Sequence, residues 1–188
     1  MDWDNNGAFD ELGLSDSVTH DFGIPGTYTI RIRGTYDSIK FGNVGDKEKI
    51  LSLDQWGTNK WTSMYSSFSG AINLTIPAMD IPDFSAVTHM YEMFYNASSA
   101  NPDTSGWDTS AVINMAGMFI GATSANPNTS NWNTASVTNM RFMFTNATSA
   151  NPDTSGWDTS AVKDMHGMFS GATSANSDTS GWDTSAVT

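Results

Sequence analysis

From about Met79 onward, large apolar residues return every 25 positions. Trp107, Trp132, Trp157 and Trp182 form one row, and Phe94, Phe119, Phe144 and Phe169 a second. Met90/Met93, Met115/Met118, Met140/Met143 and Met165/Met168 form a third. A fixed period of this size marks an architecture in which each unit buries its apolar face only against its neighbours. Within one unit, Val112, Met115, Met118/Phe119 and Ala122 have the spacing of one stripe on a short helix. Asp108, Thr109 and Ser110 are N-cap candidates before it, and Gly121, replaced by Asn96 and Asn146 in other units, is a left-handed C-cap. The return path from Thr123 to Trp132 contains Pro127 and is too short for a second helix. It reads as an extended segment with a brief parallel β-strand ending at the Trp.

The predicted fold is therefore an α/β repeat solenoid. Its coils of about 25 residues, each one short parallel strand plus one short helix, are leucine-rich-repeat-like in length. Upstream the pattern loosens. Residues 50–78 read as a degenerate first repeat, with Trp56, Trp61, Met64 and Phe68 at the repeat positions and Ile50 to Leu53 as its strand. Residues 79–188 are the regular repeats, open at the C-terminal end. Residues 1–49 read as a β-rich N-terminal cap, since a first repeat without one would expose its apolar face. Tyr28, Ile30 and Ile32 alternate with polar residues after Pro25-Gly26, a pattern for a strand with one buried face, and Ser38 to Phe41 reads as a further short strand. Met1 reads as an addition to a fragment, and the chain stops at Thr188, where the next Met-rich segment is due.

Charge narrows the partners. The 188 residues carry 20 Asp+Glu against 8 Lys+Arg, which opposes nucleic acid and anionic membrane surfaces. No apolar run reaches the length of a membrane helix, and the N-terminus has no signal-peptide pattern. Cysteine is absent, so thiolate metal sites and disulfides are excluded. Asp2, Asp4, Asn6 and Asp10 have part of the spacing of a calcium loop. Gly13 stands where the bidentate Glu belongs, so calcium is possible here and is not expected to be essential. Asp103, Asn128, Asp153 and Asp178 form one polar row, and Asp108, Asn133, Asp158 and Asp183 another. Both are read as cap and turn residues, with cation binding between coils as the alternative. The Trp and Met rows are read as core, with a sugar-stacking Trp platform as the alternative. His20, His89 and His166 fall in unrelated contexts, and no catalytic constellation or cofactor motif emerges.

The repeat Trp-Asp-Thr-Ser-x-Val-x-x-Met-x-x-Met-Phe-x-Gly-Ala-Thr-Ser resembles the BspA-like repeats of bacterial surface proteins, relatives of the leucine-rich repeats. The match covers roughly residues 27–188. Thr19 to Gly34 resembles the last strand of the PKD domains of such proteins. The resemblance implies a secreted or cell-surface protein that adheres to an extracellular protein or glycan. The linker departs from the family pattern, with Ala125 and Thr129 where Phe and Ile are usual. The primary expectation is a non-catalytic module presenting a repeated polar face, with Thr104, Thr129, Thr154 and Thr179 as the ligand-face row. The alternatives are a filament or stalk built by end-to-end stacking, with self-association through the open C-terminal edge, and an ice-binding surface of regular Thr/Ser/Ala rows.

Overall fold

The computed structural model describes residues 1–15 and 18–188. The chain divides into two compact units, Met1–Thr35 and Tyr36–Thr188.

In the first unit an antiparallel bridge joins Asp2 to Arg31. Trp3 is buried and stacks on His20 at 4.4 Å. Phe22 stacks on Tyr28 at 4.0 Å. The expected strand is not there: Tyr28, Ile30 and Ile32 are exposed, and of this stretch only Arg31 bridges another segment. A β-rich cap is thus replaced by a loop held by aromatic packing.

The second unit corrects the α/β assignment. Among the described residues there is no α-helix and no sheet, only one 3-10 turn at Lys47–Lys49 and isolated bridges. The segment expected to be helical is a ribbon of overlapping turns. Met118, Ile120 and Ala122 donate their N–H groups to the carbonyls three residues back, at Met115, Gly117 and Phe119. The alternate N–H groups leave the segment altogether: those of Met115, Gly117, Phe119 and Gly121 donate at 2.8–3.0 Å to Asn139, Arg141, Met143 and Thr145. The same alternation ties Met64–Gly70 to the segment at 89–95, Met90–Asn96 to that at 114–120, and Met140–Asn146 to that at 164–170. Each 25-residue unit is therefore one tier of a column, its N–H groups alternating between turns of its own and carbonyls of the tier after it.

The reason lies in two backbone positions per tier. Gly117 and Gly121 have φ of +62° and +65°, the left-handed conformation that a type II turn requires at its third residue. Equivalent positive values occur at Glu92 and Asn96, at Phe142 and Asn146, and at Gly167 and Gly171. Two left-handed residues in eight interrupt any right-handed helix. The apolar spacing i, i+3, i+7 survives because consecutive four-residue turns also return side chains to one side.

That side is the core. Val112, Met115, Met118, Phe119 and Ala122 are fully buried, as are their counterparts in the tiers on either side. Phe94, Phe119, Phe144 and Phe169 stack at 5.5 Å with planes within 13°. Trp107, Trp132, Trp157 and Trp182 stack at 6.3–6.5 Å with planes within 7°. The first three Trp side chains are buried, so a surface sugar platform built of them is ruled out. At the other end of the unit, Phe41, Gly42 and Asn43 donate to carbonyls of Ser67, Ser66 and Ser69 and cover the first tier. Ser38 to Phe41 forms no strand, and of the segment from Ile50 to Leu53 only Ser52 forms a bridge, with Thr75.

Candidate functional site

The Thr row assigned to a ligand is turned inward. Thr104, Thr129 and Thr154 are fully buried. Their hydroxyls donate at 2.6 Å to the carbonyls of Asn128, Asp153 and Asp178 in the next tier. Thr179, in the last tier, is exposed. A second row behaves alike: Thr109, Thr134 and Thr159 donate to Asn133, Asp158 and Asp183 at 2.9–3.0 Å. Thr129→Val keeps the volume and removes the donor, leaving the Asp153 carbonyl unpaired. The expected cost is about 1–2 kcal/mol, read as a shift of the denaturant midpoint; an unchanged midpoint would show that the hydroxyl is not bonded.

An Asn row joins these. The side-chain oxygens of Asn101, Asn126 and Asn151 accept the backbone N–H of Asn126, Asn151 and Asn176 at 2.8–3.0 Å. Sequence reasoning passed over this row, although Asn recurs at that position in every regular repeat.

The two Asp rows close turns. Asp103, Asp108, Asp153, Asp158, Asp178 and Asp183 each accept the backbone N–H of the Ser two residues on, at 2.9–3.0 Å. With no helix to cap, Asp108 closes an Asx turn instead. Hydrogen bonds from the hydroxyl and the N–H of these serines hold all six carboxyls below the usual carboxylate range. Carboxylates in adjacent tiers oppose this, Asp178 on Asp153 and Asp183 on Asp158, and the serine bonds outweigh them. A depressed folded-state value stabilises above the unfolded-state value of about 4, and the contribution disappears as pH falls through the lower folded values. Thermal midpoints are therefore expected to be level above about pH 5 and to fall below about pH 4; a midpoint unchanged at the acid end would contradict the turn-closing role.

In the first unit, carboxylate oxygens of Asp2, Asp4 and Asp10 lie within 4.8 Å of one another. Several of these oxygens already meet N–H groups. Asp2 accepts from Asn6 N at 3.2 Å and Gly7 N at 3.1 Å, and lies 3.5 Å from Arg31 Nη1. Asp10 accepts from Trp3 N at 2.9 Å, and Asp4 from both nitrogens of Asn6 at 3.2 and 3.0 Å. The structure thus gathers Asp2, Asp4 and Asp10, with Asn6 donating to Asp4, and apart from Arg31 their observed partners are donors of their own loop.

The remaining surface carries the differences between tiers. Most positions repeat down the column, but Tyr91, Glu92 and Tyr95 become Ala116, Gly117 and Ile120, then Arg141, Phe142 and Thr145, then His166, Gly167 and Ser170. These belong to the turn ribbon and point away from the Met/Phe rows. Tyr65 stacks on Tyr91 at 5.4 Å with planes 11° apart. The hydrogen bond to Glu92, aided by burial, pushes the Tyr91 phenol up to about 12, so at neutral pH it remains a donor. Arg141 reaches Asp164 at 3.5 Å and lies over Phe142 at 4.6 Å. His166 is exposed and meets Phe142 edge-on at 5.1 Å, while His89 Nδ1 lies 2.9 Å from the Thr88 hydroxyl.

A family described as Mycoplasma protein of unknown function, DUF285, matches residues 40–151 and 88–188, two overlapping spans of the repeat. No curated protein and no solved structure matches the chain. Among the described residues no helix is long and apolar enough to cross a membrane.

Proposed function

The chain belongs to the DUF285 family, and on that premise we propose that it is a non-catalytic module of a secreted or cell-surface protein. Its tiers hold up one variable face for binding an extracellular protein or glycan. One observation carries this reading: the Met, Phe, Trp and Thr rows that repeat are used in packing or in bonds between tiers, whereas the residues at 91, 92 and 95 and their equivalents, which change from tier to tier, lie together along the turn ribbon. A scaffold needs its tiers alike; a recognition surface needs them different. The resemblance of the repeat to BspA-like surface repeats supports the surface location and the adhesive role.

Each contact on such a face is weak, and several tiers engaged together raise the overall avidity. The test displays the chain in multivalent form on an array of glycans and glycoproteins. A second form carries Tyr91→Ser, Ile120→Ser, Arg141→Ser and Phe142→Ser. Binding by the first and its loss from the second, with equal thermal midpoints, is the expected result. Binding that survives this replacement at full strength would place recognition elsewhere and overturn the reading.

A further inference from the structure

On the variable face an aromatic stack starts and stops. The Lys40 ammonium lies 4.1 Å from the centre of the Tyr65 ring, and Tyr65 covers one face of Tyr91. In the next tier the equivalent residue is Ala116. A methyl cannot cover the other face of Tyr91, so the stack ends there. Arg141 restores a long side chain one tier further on. The result is a slot of about 180 Å³ with Ala116 and Gly117 as floor, Tyr91 and Glu92 on one side, Arg141 and Phe142 on the other, and Ile120 at its end.

Gly117 keeps the floor clear. A Cβ there would sit 3.0 Å from Ile120 Cδ1 and 3.3 Å from Glu92 Cγ, so a side chain would crowd both residues and take space from the slot. The volume lies well below the roughly 300–1,000 Å³ of pockets that enclose drug-sized ligands. It suits one ring, open to solvent on its outer side. A peptide strand finds no edge to pair with, because Glu92 N and Gly117 N already donate to Ala116 O and Arg141 O at 3.0 and 2.8 Å. The polar groups form an acceptor and donor pair: the Glu92 carboxylate and the Arg141 guanidinium, whose side chain is half exposed. A flat apolar ring face between a carboxylate and a guanidinium matches the C–H face and vicinal hydroxyls of a pyranose. The formal net charge of −12 disfavours acidic sugars.

We infer that this slot is a carbohydrate site taking one uncharged pyranose ring, stacked on Tyr91 and hydrogen-bonded by Glu92 and Arg141. It rests on the reading of the variable face as the binding surface and names the ligand class at one place on it. The probes are methyl glycosides of mannose, galactose, glucose and N-acetylglucosamine, titrated into the 15N-labelled full chain. N-acetylneuraminic acid and a Gly-Phe-Gly peptide serve as comparisons. At least one glycoside is expected to give saturable shifts centred on residues 91–95, 116–120 and 141–142, with neither comparison doing so.

Ala116→Tyr extends the Tyr65–Tyr91 stack into the slot at a position that holds Tyr or Arg in the flanking tiers, so the fold is expected to persist. It should lower glycoside affinity by about tenfold or more. Glu92→Gln and Arg141→Gln should each weaken it several-fold. Three results would overturn the site: no glycoside producing shifts, equal affinity in Ala116→Tyr, or stronger binding of the peptide than of any sugar. If array binding is still lost on stripping the whole face, the slot alone falls and the module remains. If array binding never depended on that face, both fall together.

Discussion

Trp157→Ala is expected to lower the stability of the column by about 3–5 kcal/mol, the usual cost of deleting a buried large aromatic. Its ring lies between Trp132 and Trp182, at 6.3 Å from each and within 2° of parallel. Its Nε1 donates to Thr129 O at 3.4 Å. Removal would leave a void that neighbouring tiers cannot close without giving up their own register, because each is tied to the next through alternate N–H groups. Loss should therefore spread to both sides, with faster amide exchange at Trp132 and in the tier of Phe169 as well as in the mutated tier. Equal unfolding midpoints for the two proteins would show that the Trp row is not the interior.

Gly167→Ala should cost about 2–5 kcal/mol, from two sources of comparable size. The residue has φ +63°, where a Cβ adds roughly 1–2 kcal/mol. The new Cβ would also lie 2.5 Å from two carbons of the Phe142 ring, an overpacking worth about 1–3 kcal/mol. A double-mutant cycle separates them. In a Phe142→Gly background the collision is gone and only the backbone strain should remain. If Gly167→Ala costs the same in both backgrounds, the ring does not lie over the glycine. If it costs nothing in either, the left-handed conformation itself is absent.

That glycine also shows where sequence reasoning reached and where it stopped. The period was legible, and so was the inward side of each tier: Val112, Met115, Met118, Phe119 and Ala122 are buried as their spacing implies. Spacing alone did not distinguish a helix from successive four-residue turns, since both return a side chain to one side after three or four positions. The discriminating residues were Gly117 and Gly167, each four positions before Gly121 and Gly171. A glycine inside a helix of roughly ten residues, four positions before the one that would cap it, would cost about 1 kcal/mol, a conflict that argues for turns. In the neighbouring tiers Glu92 and Phe142 occupy the same left-handed position, and this hides the signal.

The surface was legible in a similar, partial way. Thr104, Thr129 and Thr154 look like an exposed hydroxyl row because Thr is polar. A hydroxyl with a carbonyl 2.6 Å away in the next tier has no need of water. Regularity itself pointed inward here, since a residue that every tier requires is one that the stacking uses. The row at Tyr91, Ala116, Arg141 and His166 shows in the sequence as one of the places where the tiers disagree.

Each tier bonds to the next through alternate backbone N–H groups and is not helical. Scalar couplings across hydrogen bonds, measured by NMR on the labelled chain, test it residue by residue. The N–H groups of Met115, Gly117, Phe119 and Gly121 are expected to couple to the carbonyl carbons of Asn139, Arg141, Met143 and Thr145. Couplings from the same four groups to carbonyls four residues back, at Ala111, Ile113, Met115 and Gly117, would restore the helix and contradict the column described here.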